Sequence, residues 1–114
     1  HGWGDQNISP RSSVNYFGKL VTALGKDQVE QSVRLYMVPG MGHCTGGEGP
    51  DQFDTLTALE HWREKGQAPA SITASKITDG KVVRTRPLCP YPQVGRYVGS
   101  GNIDQAQNFA CQMP

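Results

Sequence analysis

A short apolar segment near the middle of the chain constrains the fold more than any other feature. The residues VRLYMV (33–38) are rich in β-branched and aromatic side chains, and Pro39 and Gly40 follow directly, which predicts a short buried strand. Helical periodicity precedes and follows this segment. One strand between two helices cannot form a sheet, because buried parallel strands need neighbours. Residues 1–70 are therefore predicted to be the closing portion of a larger α/β sheet.

Two amphipathic helices are predicted on either side of this strand. The first is expected to be capped by Ser12 or Ser13, and the second by Asp51. In each segment the apolar residues recur every three to four positions, which places them on one helix face. They are Val14, Phe17, Leu20, Val21 and Leu24 in the first helix, and Phe53, Leu56, Leu59 and Trp62 in the second.

The last part of the chain, residues 71–114, is predicted to be an extension of this core. SITASKI (71–77) and KVVRTRP (81–87) are joined through Asp79 and Gly80, which supply the positive φ angles that a tight hairpin turn requires. The sequence after the hairpin is rich in proline, glycine and polar residues, and is predicted to be mostly irregular.

Charge and composition argue against several classes of function. The 11 basic and 10 acidic residues are scattered along the chain, so no basic block indicates nucleic-acid binding. The apolar runs are far too short to span a membrane. The chain begins with His rather than Met and shows no signal-peptide pattern. We therefore expect a processed or truncated product whose partner segments lie upstream.

Three cysteines leave one without a partner in the chain. We expect Cys89 and Cys111 to pair in an oxidising compartment, since closing a loop of about 22 residues stabilises a fold by roughly 3 kcal/mol. Two unrelated free thiols are the alternative. On the paired interpretation, Cys44 has no partner within these residues.

The glycine-rich loop after the predicted strand places His43 directly beside Cys44. Functional loops of open α/β sheets lie beyond the carboxyl ends of strands, so His43 is expected at that edge. Asp5 lies in a loop that would follow the preceding parallel strand, and the two loops would share the edge. Asp5 could then orient the imidazole of His43. From spacing alone, a solvated histidine and a turn-forming aspartate remain open alternatives.

The other histidines carry less information. His61 is expected to be a surface or half-buried residue of the second helix, and His1 is terminal. A metal site formed by His43, Cys44 and His61 does not match the ligand spacing of zinc sites. No metal or other cofactor is predicted.

Several short motifs taken together resemble one family. They are GWGDQNISP (2–10), VPGMGHC (38–44), GPDQFDTLTALEHWREKGQAP (49–69), RTRPLCPYP (84–92) and the final Cys111. On these motifs the chain resembles the C-terminal part of the tannase and feruloyl esterase family. That family consists of secreted α/β-hydrolase serine esterases that cleave aromatic carboxylic esters. The resemblance extends over nearly the whole chain.

The resemblance implies roles for individual residues. Asp5 corresponds to the acid of a Ser-His-Asp triad, and His43 to its general base. Ile8 would lie near the substrate pocket, with a plain packing role as the alternative. The implied substrate is an aromatic ester of the feruloyl or galloyl type.

The resemblance also implies two disulfides and a location. Cys44 would pair with a Cys outside this chain, next to the nucleophilic Ser, and so fasten the His43 loop to the nucleophile turn. Cys89 and Cys111 would form the C-terminal disulfide of the family. The expected location is secreted or periplasmic.

One departure from the family pattern is large. No G-x-S-x-G or Cys-Ser-x-G segment is present, and every serine falls in a predicted turn, cap or strand. We therefore expect the nucleophile to lie outside this chain, in the N-terminal remainder of the same enzyme, and the chain alone to be inactive. One alternative is a non-enzymatic disulfide-containing module, or a partner chain that completes a split enzyme. Another is a stand-alone hydrolase with an unusual serine.

Overall fold

The computed structural model describes all 114 residues as a mixed arrangement of helices and strands. The helices are α1 (Pro10–Leu24), α2 (Lys26–Ser32) and α3 (Thr55–Lys65), with a short 3₁₀ helix at Ala106–Asn108. The strands are β1 (Ile72–Thr78), β2 (Lys81–Leu88), β3 (Val94–Tyr97) and β4 (Phe109–Gln112). They form two antiparallel sheets of two strands each, β1–β2 and β3–β4. None of the helices has both the length and the apolar character that crossing a membrane requires.

The predicted strand at 33–38 forms only isolated bridges. Val38 pairs in parallel with Gly2, and Tyr36 pairs in antiparallel with Pro90. A strand must pair over several consecutive residues on at least one side. The first residues of the chain pair with this segment only through the Gly2–Val38 bridge. The prediction of a regular strand is therefore wrong for these residues, although the parallel pairing of Val38 lies at the expected edge.

Both long helices begin at positions other than those predicted. α1 begins at Pro10, whose fixed φ suits the first helical turn and whose missing N–H leaves nothing unpaired there. The hydroxyl of Ser12 instead donates to the carbonyl of Ser9 at 2.6 Å. α3 follows Asp54, whose carboxylate accepts the backbone N–H three residues later at 2.9 Å. Asp51 does not cap α3, because its carboxylate binds the glycine-rich loop.

The predicted Asp-Gly hairpin is present. β1 and β2 pair along their whole length, and the φ angles of Asp79 and Gly80 are 50° and 72°. The segment after it is more regular than predicted, because β3 pairs with β4. The Cys89–Cys111 disulfide is formed, with 5.6 Å between the two Cα atoms, and it links the end of the first sheet to β4.

The buried core is small and covers the apolar helix faces only in part. The main cluster of buried side chains consists of Val38, Met41, Ile72, Ala74 and Leu88. Neither α1 nor α3 contains a buried residue, and large apolar side chains such as Leu24, Leu56 and Leu59 are about half exposed or more. Amphipathic helices normally bury their apolar face against another layer. These two helices therefore present faces that the 114 residues cover incompletely.

Replacing both Cys89 and Cys111 with alanine should lower the free energy of unfolding by about 3 kcal/mol, because the disulfide restricts the unfolded chain. Urea denaturation of the variant and of the wild-type protein measures this difference. Adding reductant to both proteins should remove most of it. Equal stability without reductant would contradict the prediction.

Candidate active site

The Asp5 loop and the His43 loop follow two segments that pair in parallel. The N–H of Val38 donates to the carbonyl of His1 at 2.8 Å, and the N–H of Trp3 donates to the carbonyl of Val38 at 2.9 Å. Parallel segments end at the same edge, so the two loops begin side by side.

Glycines before Asp5 allow the two loops to touch. The N–H of Gly4 donates to the carbonyl of Met41 at 2.9 Å. A Cβ atom at Gly2 would lie 2.3 Å from that carbonyl oxygen, and one at Gly4 would lie 3.0 Å from it. A side chain at Gly2 would therefore push the loops apart and move Asp5 away from the His43 loop.

Asp5 is a buried carboxylate with several donors around it. Its side chain is only 4% exposed, and its Oδ1 accepts the backbone N–H groups of Asn7 at 2.8 Å and Ile8 at 2.9 Å. Its Oδ2 lies 2.9 Å from Nδ1 of His43. The N–H of Ile8 is the largest cause that lowers the pKa of Asp5, and the contact with His43 adds to it against the opposing effect of burial. Asp5 is therefore an anion at neutral pH.

The loop that presents His43 closes on itself. The N–H of Gly42 donates to the carbonyl of Gly46 at 3.1 Å. Gly47 has a φ of 87°, and a Cβ atom there would lie 2.1 Å from the carbonyl oxygen of Gly40. The glycines in this loop are thus required by its conformation, which a side chain at Gly47 would disrupt.

Two side chains outside the turn fix this loop further. Oδ2 of Asp51 accepts the hydroxyl of Thr45 at 2.9 Å and the N–H of Gly46 at 2.7 Å. The hydrogen bond from Gly46 is the largest cause that lowers the pKa of Asp51, and the bond from Thr45 adds to it. Nζ of Lys76 donates to the carbonyl of Gly47 at 2.5 Å. The position of His43 is therefore set by contacts on both sides of the loop.

His43 has one engaged and one open ring nitrogen. Because Nδ1 faces the ionised Asp5, the tautomer with hydrogen on Nδ1 is assigned from the bonding partner. No group of the chain hydrogen-bonds Nε2, and the side chain is 47% exposed. The lone pair of Nε2 is then free to accept a proton from a molecule or segment placed against this edge. This is the arrangement of an oriented general base.

His1 lies in the site, which the sequence analysis missed. Its Nε2 is 2.9 Å from Oδ2 of Asp5, and its Nδ1 is 2.7 Å from the hydroxyl of Ser13. Its terminal position in the sequence gave no indication of this. The spacing could have indicated it, because His1 comes four residues before Asp5, in the segment that precedes the Asp5 loop.

The remaining predicted residues are distributed around the site. Ile8 is exposed, and its N–H binds Asp5. Cys44 is exposed with a φ of 65°, and has no disulfide partner in the chain. His61 lies on α3 and makes no hydrogen bond to either loop. No serine hydrogen-bonds His43, and no group of three His, Cys, Asp or Glu side chains is placed to hold a metal ion.

Comparison with known proteins shows the family. The family described as "Tannase and feruloyl esterase" matches residues 1–112, and the chain belongs to that family. Mono(2-hydroxyethyl) terephthalate hydrolase of Piscinibacter sakaiensis is 46% identical over 117 aligned positions, which cover all of this chain and 19% of that protein. The chain thus spans about a fifth of the length of this curated relative.

Solved structures show the same similarity. An esterase from Aspergillus oryzae superimposes with a TM-score of 0.85 at 29% identity, over 98% of this chain and 26% of the other. Feruloyl esterase B from Aspergillus oryzae superimposes with a TM-score of 0.82 at 27% identity, over 98% and 25%. The fold of these 114 residues therefore occurs as about a quarter of larger esterases.

Proposed function

We propose that this chain is the acid-and-base portion of a serine carboxylic ester hydrolase that acts on aromatic esters. Asp5 is the triad acid and His43 the general base, and the nucleophilic Ser lies in a segment outside these 114 residues. The observation that carries this proposal is the 2.9 Å contact between Nδ1 of His43 and Oδ2 of Asp5, with Nε2 left open. Family membership supports the reaction class.

The reaction follows from the two ring nitrogens of His43. Nε2 takes the proton of the serine hydroxyl as that oxygen attacks the ester carbonyl, and then donates it to the departing alcohol. Nε2 next removes a proton from water as that water attacks the acyl-enzyme carbonyl. It then donates this proton to the serine oxygen, which leaves as the acid is released and the free enzyme is restored. Asp5 stabilises the imidazolium formed in each step and keeps the ring oriented.

The incompletely covered helices support the assignment to a larger sheet. The apolar faces of α1 and α3 would pack on the remainder of an α/β-hydrolase core, with the segment 33–38 continuing its sheet. The relatives are several times longer than this chain, and a comparable additional length would contain the residues of such a core. The aromatic substrate class rests on the names of these relatives, a terephthalate ester hydrolase and a feruloyl esterase.

Cys44 is proposed to form a disulfide with a Cys beside the nucleophile. It is exposed at the same edge, next to His43, and is the only cysteine without a partner in the chain. Such a bond would fix the distance between base and nucleophile. The Cys89–Cys111 bond supports a secreted or periplasmic location, because structural disulfides persist in oxidising compartments.

A fluorophosphonate probe on the full-length protein tests the proposal. We expect one labelled Ser outside residues 1–114, with labelling slowed by an aromatic ester added as a competitor. In an unreduced digest, the labelled peptide should remain joined to the peptide that contains Cys44. The absence of label, or label on one of the serines of this chain, would refute the assignment of the nucleophile.

A further inference from the structure

We infer that His1 is a positioning residue of this site, which donates a hydrogen bond to the same carboxylate oxygen of Asp5 that orients His43. The inference rests on the proposed function, since it assigns a role to His1 in the work of that base. The side chain of His1 is a second imidazole, and it takes no part in the proton transfers of the proposed reaction.

The partners of His1 fix which of its nitrogens carries hydrogen. Nε2 lies 2.9 Å from Oδ2 of Asp5 and 3.2 Å from the carbonyl of Ile8, and both of these atoms are acceptors. Nε2 must therefore donate. Nδ1 lies 2.7 Å from the hydroxyl of Ser13 in α1, which can donate to it. The side chain is 17% exposed, so this arrangement is largely shielded from water.

With His1 included, the carboxylate of Asp5 has a donor at each lone-pair position. Asn7 and Ile8 bind Oδ1, whereas His43 and His1 both bind Oδ2. A carboxylate has about four acceptor positions, so none is left for water. Rotation of the carboxylate about its Cβ–Cγ bond would break several bonds at once. Oδ2 is therefore kept directed at Nδ1 of His43.

The shared oxygen also links His1 to the orientation of His43. Oδ2 is the acceptor that faces Nδ1 of His43, so a donor that fixes the direction of Oδ2 also fixes the direction of the imidazole ring. Without the donor from His1, Oδ2 would keep only one of its two partners, and the carboxylate would be less restricted.

Two amide substitutions at His1 separate the donor from the shape of the side chain. Glutamine places an amide at the level of Nε2 and can still donate to Asp5, whereas asparagine places it at the level of Nδ1, nearer Ser13. Both are polar and smaller than or similar to histidine in size. Their comparison remains informative where an apolar replacement would not fold.

In the full-length protein, His1→Asn should lower kcat for an aromatic ester by about tenfold with KM nearly unchanged, as expected for loss of one hydrogen bond to a charged group. His1→Gln should stay within about threefold of the wild type in kcat, because its amide can still donate to Asp5. His61→Gln on α3 is the control and should behave as the wild type.

A second readout does not depend on hydrolysis. With ¹⁵N-labelled histidine in the same proteins, the Nδ1–H proton of His43 that faces Asp5 should give a protected NMR signal in the wild type and in His1→Gln, and should exchange faster with water in His1→Asn. If the wild type has no esterase activity, the proposed function fails while this signal still tests the inference. Equal behaviour of the Asn and Gln variants in the proton exchange and, for an active enzyme, in the kinetics would overturn the role of His1.

Discussion

Replacing His43 with alanine lowers kcat of the full-length enzyme on a feruloyl or galloyl ester by about five orders of magnitude, while KM changes little. The reason is that Nε2 accepts or donates a proton in every chemical step, and no other group of the chain hydrogen-bonds Nε2. Nδ1 of His43 is the partner of Asp5, so the alanine variant loses base and acid together. Initial rates over a range of ester concentrations separate kcat from KM.

The control for this prediction is His61→Ala. His61 lies on the exposed helix α3 and touches neither loop, so its loss should leave kcat within about twofold of the wild type, as for ordinary surface substitutions. Circular dichroism should show both variants folded. A His43→Ala enzyme that keeps more than a tenth of the wild-type kcat would remove His43 from the mechanism.

The position of Asp5 and His43 at the same edge was predictable, because the direction of the chain determines at which end of each segment its loop lies. The run before Pro39 and the 38-residue spacing of Asp5 and His43 indicated two consecutive parallel segments, and the structure brings these side chains to 2.9 Å. The Asp-Gly turn was predictable for a similar local reason: only certain residues accept its φ angles. The direction of the chain and the φ angles that a residue accepts can both be inferred from a sequence.

Features that depend on competition between partners were not predictable. The sequence analysis predicted Asp51 as the cap of α3. In the fold, the carboxylate of Asp51 binds Thr45 and Gly46, and Asp54 caps the helix instead. The type and position of a residue indicate that it can cap a helix, but tertiary contacts decide whether its carboxylate is available.

Long-range pairing explains the other differences. The segment 33–38 has the composition of a buried strand, but its neighbours within these residues are too few to extend it. The tail lacks strand periodicity, yet β3 pairs with β4, and the Cys89–Cys111 bond joins β4 to the end of the first sheet. The contacts of His1 depend on how the fold places Ser13 and Asp5 around it, and no single sequence motif encodes this arrangement.

Replacing Asp5 with asparagine should lower kcat by about four orders of magnitude, as substitutions of this type do in Ser-His-Asp enzymes. The backbone N–H groups of Asn7 and Ile8 would select the amide oxygen as their acceptor. The amide nitrogen would then face Nδ1 of His43 as a donor. His43 would shift its hydrogen to Nε2, where it can no longer accept the serine proton.

This substitution also has a consequence for stability that depends on pH. Because the pKa of Asp5 is lowered in the fold, its charge stabilises the folded state above the unfolded carboxyl value of about 3.9, and that contribution is lost as pH falls through the folded value. The wild-type protein should therefore exceed Asp5→Asn in stability at pH 7, and the difference should shrink towards pH 2. Urea denaturation at the two pH values measures this change.

Asp104→Asn is the matched control for the effect on kcat. Asp104 also pairs with a cation, Nε of Arg84 at 2.7 Å, but it lies on the partly exposed surface of the C-terminal extension. Its loss should leave kcat unchanged, because it contacts neither loop. If Asp5→Asn keeps kcat within about tenfold of the wild type, Asp5 does not set the tautomer of His43. The orienting group would then have to come from another part of the enzyme, and the contact at 2.9 Å would be structural only.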